Sequence, residues 1–150
     1  MIQMGATGLY ATAGVSEAEQ QLAQQVMSAA GLVLWVDDED LLHAVTAISG
    51  SAPAYFFYML ESMIATGEKL GLTQTQATAL AMQTALGAAQ MALTSDDTPA
   101  ELRRKVTSPN GTTQAAIEVM DAKKMHPIIA DAMLACAQRS RELSQAFGKS

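Results

Sequence analysis

Residues 53–60 read Pro-Ala-Tyr-Phe-Phe-Tyr-Met-Leu, and this stretch decides which kind of fold the chain adopts. Pro53 suits the first position of a helix, where its missing N–H is not needed. The residues that follow are apolar or aromatic on every face of the helix that they would form. A helix that is apolar all round is buried on all sides. Because a chain of 150 residues rarely encloses a helix that fully, the stretch predicts a helical domain with a subunit interface.

The composition of the whole chain favours helices as well. Apolar residues make up 49% of the 150 residues and aromatic residues only 5%, so the apolar mass is Ala, Leu, Met, Val and Ile. Three of these are strong helix formers. Four prolines and ten glycines leave long uninterrupted segments. We predict one all-α domain of six or seven helices, ordered from about residue 5 to residue 145.

Helix starts are marked by three capping boxes, in which a Ser or Thr side chain and a Glu or Gln three residues later each bond the other's backbone N–H. The boxes begin at Ser16, Thr73 and Thr98. A further helix is predicted after Asp37 or Asp38, whose charge suits a helix N-terminus. The predicted helices are 17–30, 39–49, 53 to about 67, 74–93, a short one after Thr98, one from 112 or 113 to about 122, and 127–147; residues 6–11 and 32–36 are predicted to be extended.

Charge and cysteine content exclude several classes of protein. The net charge of −6 argues against a general nucleic-acid partner. Cys136 is alone, so no internal disulfide forms, and a reducing compartment is the simple interpretation. The uncharged N-terminal run is too weakly apolar for a membrane span and has no basic start for a signal peptide. We therefore expect a cytoplasmic protein without a membrane partner, whose sequence begins inside a larger protein.

No residues have the spacing of a metal or nucleophile site. His43 and His126 are far apart, and no ligand-type residue accompanies either one at metal-binding spacing. The acidic run at residues 37–40 is accounted for by helix capping, and Cys136, between two alanines, is interpreted as a small buried packing residue. The sequence predicts no metal site.

Two hydroxyl-rich breaks remain as candidate sites. Residues 106–113 read Val-Thr-Ser-Pro-Asn-Gly-Thr-Thr and lead directly into a helix-forming sequence. A turn of this kind at a helix start presents free N–H groups beside hydroxyls, which is a ready site for a small anion. Residues 43–53 are the second break, for which an anion site and ordinary helix capping are both open interpretations.

The two breaks together resemble pyrroline-5-carboxylate reductase, through residues 44–55 (AVTAISGSAPAY) and 106–113 (VTSPNGTT). Gly71-Leu72, Gln83-Thr84, residues 87–89 and residues 139–143 fit as well. The likeness extends from about Gly5 to Leu143. It covers only the C-terminal part of that enzyme, because the N-terminal Rossmann domain with its glycine-rich NAD(P) fingerprint has no counterpart here.

The resemblance implies a function, a cofactor and partners. The family reduces 1-pyrroline-5-carboxylate to L-proline with NADPH or NADH, the last step of proline biosynthesis. Its C-terminal domain is an all-α helical bundle that interleaves with a second subunit to form a homodimer, and some members assemble into decamers. The cofactor is bound mainly by the Rossmann domain, so residues 1–150 alone are expected to be a dimerisation and substrate-binding domain without activity.

The resemblance also assigns site residues. The family loop binds the substrate carboxylate, which here points to the Ser108 hydroxyl, the Gly111 and Thr112 amides, and the hydroxyl and amide of Thr113. Thr46 matches the threonine proposed to hydrogen-bond the ring nitrogen, either orienting its N–H or relaying a proton. Asn110 stands where the family usually has Gly, and Asn tolerates left-handed backbone angles. Ser49 and Ser51 are expected to shape the break and cap the next helix, and Arg103 to Lys105 are not expected to contact the ligand.

Two alternatives stay open. A purely structural helical oligomerisation module without ligand explains the apolar helices and caps equally well, but not the clustered hydroxyls of the loop at residues 106–113. The C-terminal domain of another two-domain dehydrogenase, such as a β-hydroxyacid type, is disfavoured, since it needs a catalytic lysine on a helix and no lysine lies between Ser51 and Glu68.

Overall fold

The computed structural model describes residues 4–148, and over this range the chain forms seven α-helices and one pair of short strands. The predicted all-α class is confirmed for the body of the chain, and the strand pair is added to it. Residues 1–3 and 149–150 of the predicted domain lie outside the described range. The elements are β1 (Gly5–Leu9), α1 (Glu17–Ser28), β2 (Gly31–Trp35), α2 (Leu41–Val45), a π-helical turn (Thr46–Gly50), α3 (Ala52–Lys69), α4 (Gln74–Thr94), α5 (Pro99–Lys105), α6 (Thr112–Ala122) and α7 (Met125–Phe147).

The chain divides into two compact units. The first contains the residues up to Tyr55 together with those from Ile129 onward, and the second runs from Phe56 to Ile128. Thr46 therefore belongs to the first unit and the loop at residues 106–113 to the second.

In the first unit, β1 and β2 pair in parallel, from Gly5 beside Gly31 to Leu9 beside Trp35. Parallel strands need a crossover, and α1 supplies it. The indole nitrogen of Trp35 donates a hydrogen bond of 2.8 Å to Gln24, which ties α1 to the strand that follows it. Gly31 has φ +148°, and a Cβ there would lie 2.2 Å from the Gly5 carbonyl oxygen. Only glycine fits at this position, where the strand begins. The helix predicted over 17–30 therefore ends earlier than expected, at Ser28.

The start of α2 differs from the prediction. The helix begins at Leu41 after Asp40, and no carboxylate caps its first turn. Asp38 instead accepts a hydrogen bond of 2.9 Å from the Asp40 amide, which makes a tight turn ahead of the helix. The predicted cap at Asp37 or Asp38 was therefore wrong, because the Asp38 carboxylate accepts the amide of Asp40, a residue that precedes the first residue of α2.

Within the first unit, α7 contacts the region around α2. His43 Nδ1 lies 2.9 Å from the Ser140 hydroxyl, and the Arg141 guanidinium lies 3.4 Å from the Asp40 carboxylate. On the β1 side, Gly8 faces Val45 so closely that a Cβ at Gly8 would lie 2.7 Å from a Val45 methyl. Both ends of α2 are thus fixed by residues that are distant in sequence.

The second unit contains most of α3 and all of α4, joined by the short connection at residues 70–73. A capping box at Thr73 starts α4 as predicted, and Gly71, with φ +101°, makes the turn before it. A Cβ at Gly67 would lie 2.9 Å from Ala77 Cβ, so the two backbones approach closely at this end. The buried residues of this unit are Leu60, Ala77 and Ala81. Small side chains set this close packing.

The aromatic start of α3 is exposed in the protomer. Phe56, Phe57 and Tyr58 are 59%, 61% and 74% exposed, and Leu60 is the one buried residue of this helix. Exposed apolar side chains on this scale mark an interaction surface. The burial predicted for residues 53–60 is therefore not supplied by the protomer itself.

Over the residues that the structure describes, no helix is both long enough and apolar enough to cross a membrane.

Candidate functional site

The loop at residues 106–113 makes a tight turn that ends at a helix. The Gly111 amide donates to the Ser108 carbonyl at 3.0 Å, and Asn110 takes the left-handed conformation with φ +58°. A Cβ at Gly111 would lie 3.0 Å from that same carbonyl oxygen, so the turn has little room for a side chain there. The Thr107 hydroxyl donates to the Arg103 carbonyl at 2.6 Å, which anchors the loop to α5. The expected turn at Asn110 is thus present.

Helix α6 starts without a side-chain cap at Gly111. The starts of α1, α4 and α5 differ, because each is closed by a complete capping box. No residue within the described range accepts a hydrogen bond from the amides of Thr112 or Thr113. Free amides at the positive end of a helix attract an anion. The hydroxyls of Ser108, Thr112 and Thr113 lie in the same exposed segment.

Gln114 reaches back from α6 to the loop. Its Oε1 accepts a hydrogen bond of 2.8 Å from the Asn110 amide, and its Nε2 donates one of 2.7 Å to Glu118. The side chain thus connects the first turn of α6 with the left-handed residue of the loop. No sequence prediction singled out Gln114, although a Gln and a Glu four residues apart on a helix are a recognisable pair.

Of the three bases before the loop, Lys105 has a side-chain partner outside the loop. Lys105 pairs with Asp97, just before α5, and the pKa of Asp97 is lowered chiefly by that hydrogen bond. The Ser95 hydroxyl adds a second, smaller contribution to the lowered pKa. Arg103 contributes its backbone carbonyl to the loop.

Thr46 opens the π-helical turn of the first unit. Its carbonyl accepts the Ser51 amide at 2.8 Å, which is the wide spacing that defines this turn, and its hydroxyl donates to the Leu42 carbonyl at 2.8 Å. The hydroxyl proton is therefore used internally, whereas the oxygen lone pairs stay available to accept a bond. π-helical turns inside α-helices are frequent at functional sites.

Ser49 and Ser51 have roles different from the predicted capping. The Ser49 hydroxyl donates to the Val45 carbonyl at 2.9 Å, and the Ser51 hydroxyl lies 3.3 Å from the Cys136 thiol of α7. The predicted capping was wrong, because these are the described partners of the two hydroxyls and neither partner is an amide of α3. A carbonyl one turn back competes successfully for short hydroxyl side chains.

Cys136 lies in a small polar cluster with Ser51 and Tyr55. The Ser51 hydroxyl, followed by Tyr55, lowers the pKa of the Cys136 thiol. The neighbouring Cys136 and burial both raise the pKa of the Tyr55 phenol. The enclosed Tyr55 hydroxyl has no hydrogen-bond partner of suitable geometry within the described range. Cys136 is half-buried, so its predicted packing role holds only in part.

Metal-ligand groupings are not found within residues 4–148, where no three His, Cys, Asp or Glu side chains converge. His43 is engaged by Ser140, and Asp40 of the acidic run by Arg141. These contacts join α2 and the residue before it to α7.

The described residues do not fit the pyrophosphate of a dinucleotide cofactor. Such a group is held at the N-terminus of the helix that follows the first strand of a glycine-rich βα turn. The helix that follows β1 is α1, and its N-terminus is closed by Ser16 and Glu19, the latter a carboxylate whose pKa is lowered by its bonds to Ser16. A negative charge in that position repels a phosphate.

Comparison with known proteins gives a family match. The model for pyrroline-5-carboxylate reductase dimerisation matches residues 39–143. A pyrroline-5-carboxylate reductase from Pseudomonas aeruginosa is 53% identical over 149 residues, covering 99% of this chain and 55% of the relative. The human pyrroline-5-carboxylate reductase 2 is 40% identical over 144 residues, covering 95% of this chain and 44% of the relative. The chain spans about half the length of the curated relatives that it matches.

Solved structures give the same result. A pyrroline-5-carboxylate reductase from Coxiella burnetii superimposes with a TM-score of 0.90 at 42% identity, covering 95% of this chain and 53% of that one. A Plasmodium falciparum pyrroline carboxylate reductase, solved with NADP bound, has a TM-score of 0.83 at 24% identity, covering 90% of this chain and 52% of that one. The second likeness concerns the fold alone.

Proposed function

Since the chain belongs to the pyrroline-5-carboxylate reductase dimerisation family, we propose that it is the dimer-forming, substrate-binding half of an enzyme that reduces 1-pyrroline-5-carboxylate to L-proline. The uncapped start of α6 carries this proposal. The starts of α1, α4 and α5 are closed by capping boxes, whereas the start of α6 has no side-chain cap and lies beside three hydroxyls. A carboxylate is the anion that the substrate of this family would bring.

The carboxylate would be held by neutral donors. The amides of Thr112 and Thr113 and the hydroxyls of Ser108 and Thr113 are the donors that we assign to it, whereas the Gly111 amide, predicted as a further donor, already donates to the Ser108 carbonyl. Hydrogen bonds to a charged acceptor are about twice as strong as neutral ones. The Lys105 ammonium is engaged with Asp97, which supports a site built without a basic side chain.

Thr46 would contact the ring nitrogen. Hydride addition to an imine carbon is easier when the nitrogen is protonated, and a protonated nitrogen needs an acceptor for its N–H. The Thr46 oxygen has free lone pairs while its proton is bonded to Leu42, which suits this role. The reductant, NADPH or NADH, would be supplied by the other half of the enzyme, because α1 does not fit the cofactor's pyrophosphate.

The cofactor-binding half of the enzyme would also complete the strand pair. A parallel sheet of two strands rarely stands alone, and parallel sheets are normally covered on both faces. Leu32 and Leu34 project from the same face of β2 and are 58% and 59% exposed. The family match begins at residue 39, after this pair. We therefore assign residues 4–38 to the sheet of the cofactor-binding half and place the dimer-forming part from about residue 39 onward.

The second subunit would cover the aromatic start of α3. Phe56, Phe57 and Tyr58 belong to the family-matched region, and obligate interfaces resemble a domain core cut in half. The partner is thus a second copy of this chain, in a homodimer or a larger assembly built from dimers. With its single cysteine unpaired, the enzyme is assigned to the cytoplasm.

The test is an assay of the full-length enzyme that carries this chain, with light scattering on residues 1–150 alone. We expect NAD(P)H oxidation that depends on 1-pyrroline-5-carboxylate, and a dimer of the isolated chain without activity. A folded monomer would contradict the dimer assignment. A dimer whose full-length form does not oxidise NAD(P)H with this substrate would favour a purely structural module.

A further inference from the structure

Asn110 occupies a backbone conformation that costs free energy. Its φ of +58° is left-handed, a region that residues other than glycine enter only at a cost in free energy. Glycine avoids this cost, and Asn reduces it through its short polar side chain. A loop that relies on Asn at this position gains from an additional contact that holds the turn closed.

Gln114 provides that contact. Its Oε1 accepts a hydrogen bond from the Asn110 amide at 2.8 Å, from a residue that is anchored in the first turn of α6. The bond spans from the helix back to the strained residue. It therefore fixes the loop relative to the amides at the start of the helix.

The orientation of the Gln114 amide is determined by Glu118. A carboxylate can only accept hydrogen bonds, so the Gln114 NH₂ must face Glu118, where the distance is 2.7 Å. The carbonyl oxygen of the same amide is then turned towards Asn110. All three residues lie in the second unit, on α6 and the loop that precedes it.

We infer that Gln114 is a positioning residue for the substrate carboxylate, an inference that rests on the proposed function. Gln114 accepts the hydrogen bond of the Asn110 amide, and the Ser108 carbonyl accepts that of the Gly111 amide. The amides of Thr112 and Thr113 are therefore the free donors. Gln114 does not touch the substrate. It lowers the cost of binding by holding the loop in its binding conformation before the carboxylate arrives.

The test replaces Gln114 by Ala in the full-length enzyme. We expect the KM for 1-pyrroline-5-carboxylate to rise roughly three- to tenfold, the range given by one ordinary hydrogen bond, while kcat stays near the wild-type value. Independently of catalysis, hydrogen exchange of the Asn110 amide should become faster in the variant. Gln114→Met keeps the length of the side chain without either hydrogen bond, and it gives the same comparison if the Ala variant does not fold.

Two further variants separate positioning from general helix stability. Gln138→Ala removes the comparable Gln–Glu pair four residues apart on α7, where Gln138 lies 3.4 Å from Glu142 and no loop is contacted. Its KM should match the wild type. Glu118→Ala removes the acceptor that orients the Gln114 amide, so it should raise the KM and speed the exchange of the Asn110 amide.

Each outcome is decisive for one of the two proposals. An unchanged KM and unchanged exchange in Gln114→Ala would overturn the positioning role, as would a loss of kcat at constant KM. An equal rise of KM in Gln138→Ala would show that α-helix stability, and not the loop, is responsible. A wild-type enzyme that does not turn over the substrate would contradict the proposed function, while the exchange measurement would still decide whether Gln114 holds Asn110.

Discussion

The Thr46 hydroxyl donates a hydrogen bond of 2.8 Å to the carbonyl of Leu42, one turn earlier in the chain. This bond fixes the rotamer of Thr46 at the start of the π-helical turn. It also presents the oxygen as an acceptor, which is the role assigned to it at the ring nitrogen of the substrate. Removing the hydroxyl should therefore affect the orientation of the reacting bond more than the affinity for the substrate.

Thr46→Ala should lower kcat more than it changes the KM for 1-pyrroline-5-carboxylate. The reason is that the contact to the ring nitrogen gains importance as the C=N bond is reduced, whereas the carboxylate site is untouched. Steady-state kinetics of the full-length enzyme measure the two constants separately. Thr46→Ser, which keeps a hydroxyl, serves as the control, and a change in KM alone would mean that Thr46 only positions the substrate.

Thr113→Ala should raise the KM for the same substrate. A hydrogen bond to a charged group contributes about 1.5–3 kcal/mol, so the expected rise is roughly tenfold to hundredfold. Thr113→Ser retains the donor and should remain close to the wild type. Thr94, whose hydroxyl donates to the Gln90 carbonyl at the end of α4, offers a matched Thr→Ala control. Kinetics unaffected by loss of the Thr113 hydroxyl would refute its assignment to the carboxylate.

Thr98→Ala should destabilise the fold by about 1 kcal/mol, since it removes the side-chain half of a capping box at α5. The free energy of unfolding in urea, measured at one fixed protein concentration, gives this value, because the stability of a dimer depends on concentration. Thr98→Ser should restore most of the loss. A variant as stable as the wild type would mean that α5 is held by its other contacts.

The Asp97–Lys105 pair should make the free energy of unfolding depend on pH in the acidic range. Because the hydrogen bond from Lys105 lowers the pKa of Asp97 in the folded state, the pair stabilises the protein above the ordinary carboxyl pKa of about 3.9. That stabilisation is lost as the pH falls through the lowered pKa. Lys105→Met should thus be less stable than the wild type near neutrality, and the two stability curves should converge in acid.

The control for this pH experiment is Lys69→Met. Lys69 also lies in the last turn of a helix of the second unit, and the structure describes no ion pair for it. The Lys69→Met variant should show the same decrease of the free energy of unfolding at acidic pH as the wild type. A curve for Lys105→Met that runs parallel to the wild type at all pH values would contradict the role of the pair.

Gly8→Ala should destabilise the first unit by about 1–3 kcal/mol, the usual cost of overpacking. The added Cβ would lie 2.7 and 2.8 Å from the two Val45 methyl carbons, directly before Thr46. Val45→Ala removes both methyl groups, so the double variant Gly8→Ala/Val45→Ala should recover much of the lost stability relative to Gly8→Ala alone. Thermal unfolding of the three variants measures this, and strictly additive losses would show that the two residues do not clash.

Much of the fold follows from local sequence signals. The capping boxes at Ser16, Thr73 and Thr98 set the starts of α1, α4 and α5, because their partners lie within four residues. The strand at residues 32–36 was predicted to within one residue for a similar reason, since a short branched apolar run after Gly31 has few other conformations. In contrast, the pairing of β1 with β2 depends on residues 26 positions apart and carries no local signal.

The site was predictable only in part. The turn and open helix start at residues 108–113 could be predicted from Pro, Asn and Gly in order, and their geometry agrees with that expectation. The π-helical turn at Thr46 was missed, because its hydrogen bond from Ser51 to Thr46 has no local signal in a sequence that also suits the predicted helix over 39–49. Gln114 was missed because its side chain bonds a loop residue that precedes the helix, and the sequence carries no marker for such a contact. The assignment of each residue to the substrate remains a prediction.

The composition of the first unit has a consequence for how the protein is made. Its contacts between Asp40 and Arg141, His43 and Ser140, and Ser51 and Cys136 join residues separated by 101, 97 and 85 positions. A chain emerging from the ribosome cannot form them until α7 has been synthesised, whereas the approach of Gly67 to Ala77 in the second unit can form earlier. During translation, the contacts between the region around Thr46 and α7 therefore form last. A stop codon before α7 would leave the contact between Gly67 and Ala77 able to form, whereas the region around Thr46 would lack its contacts with α7.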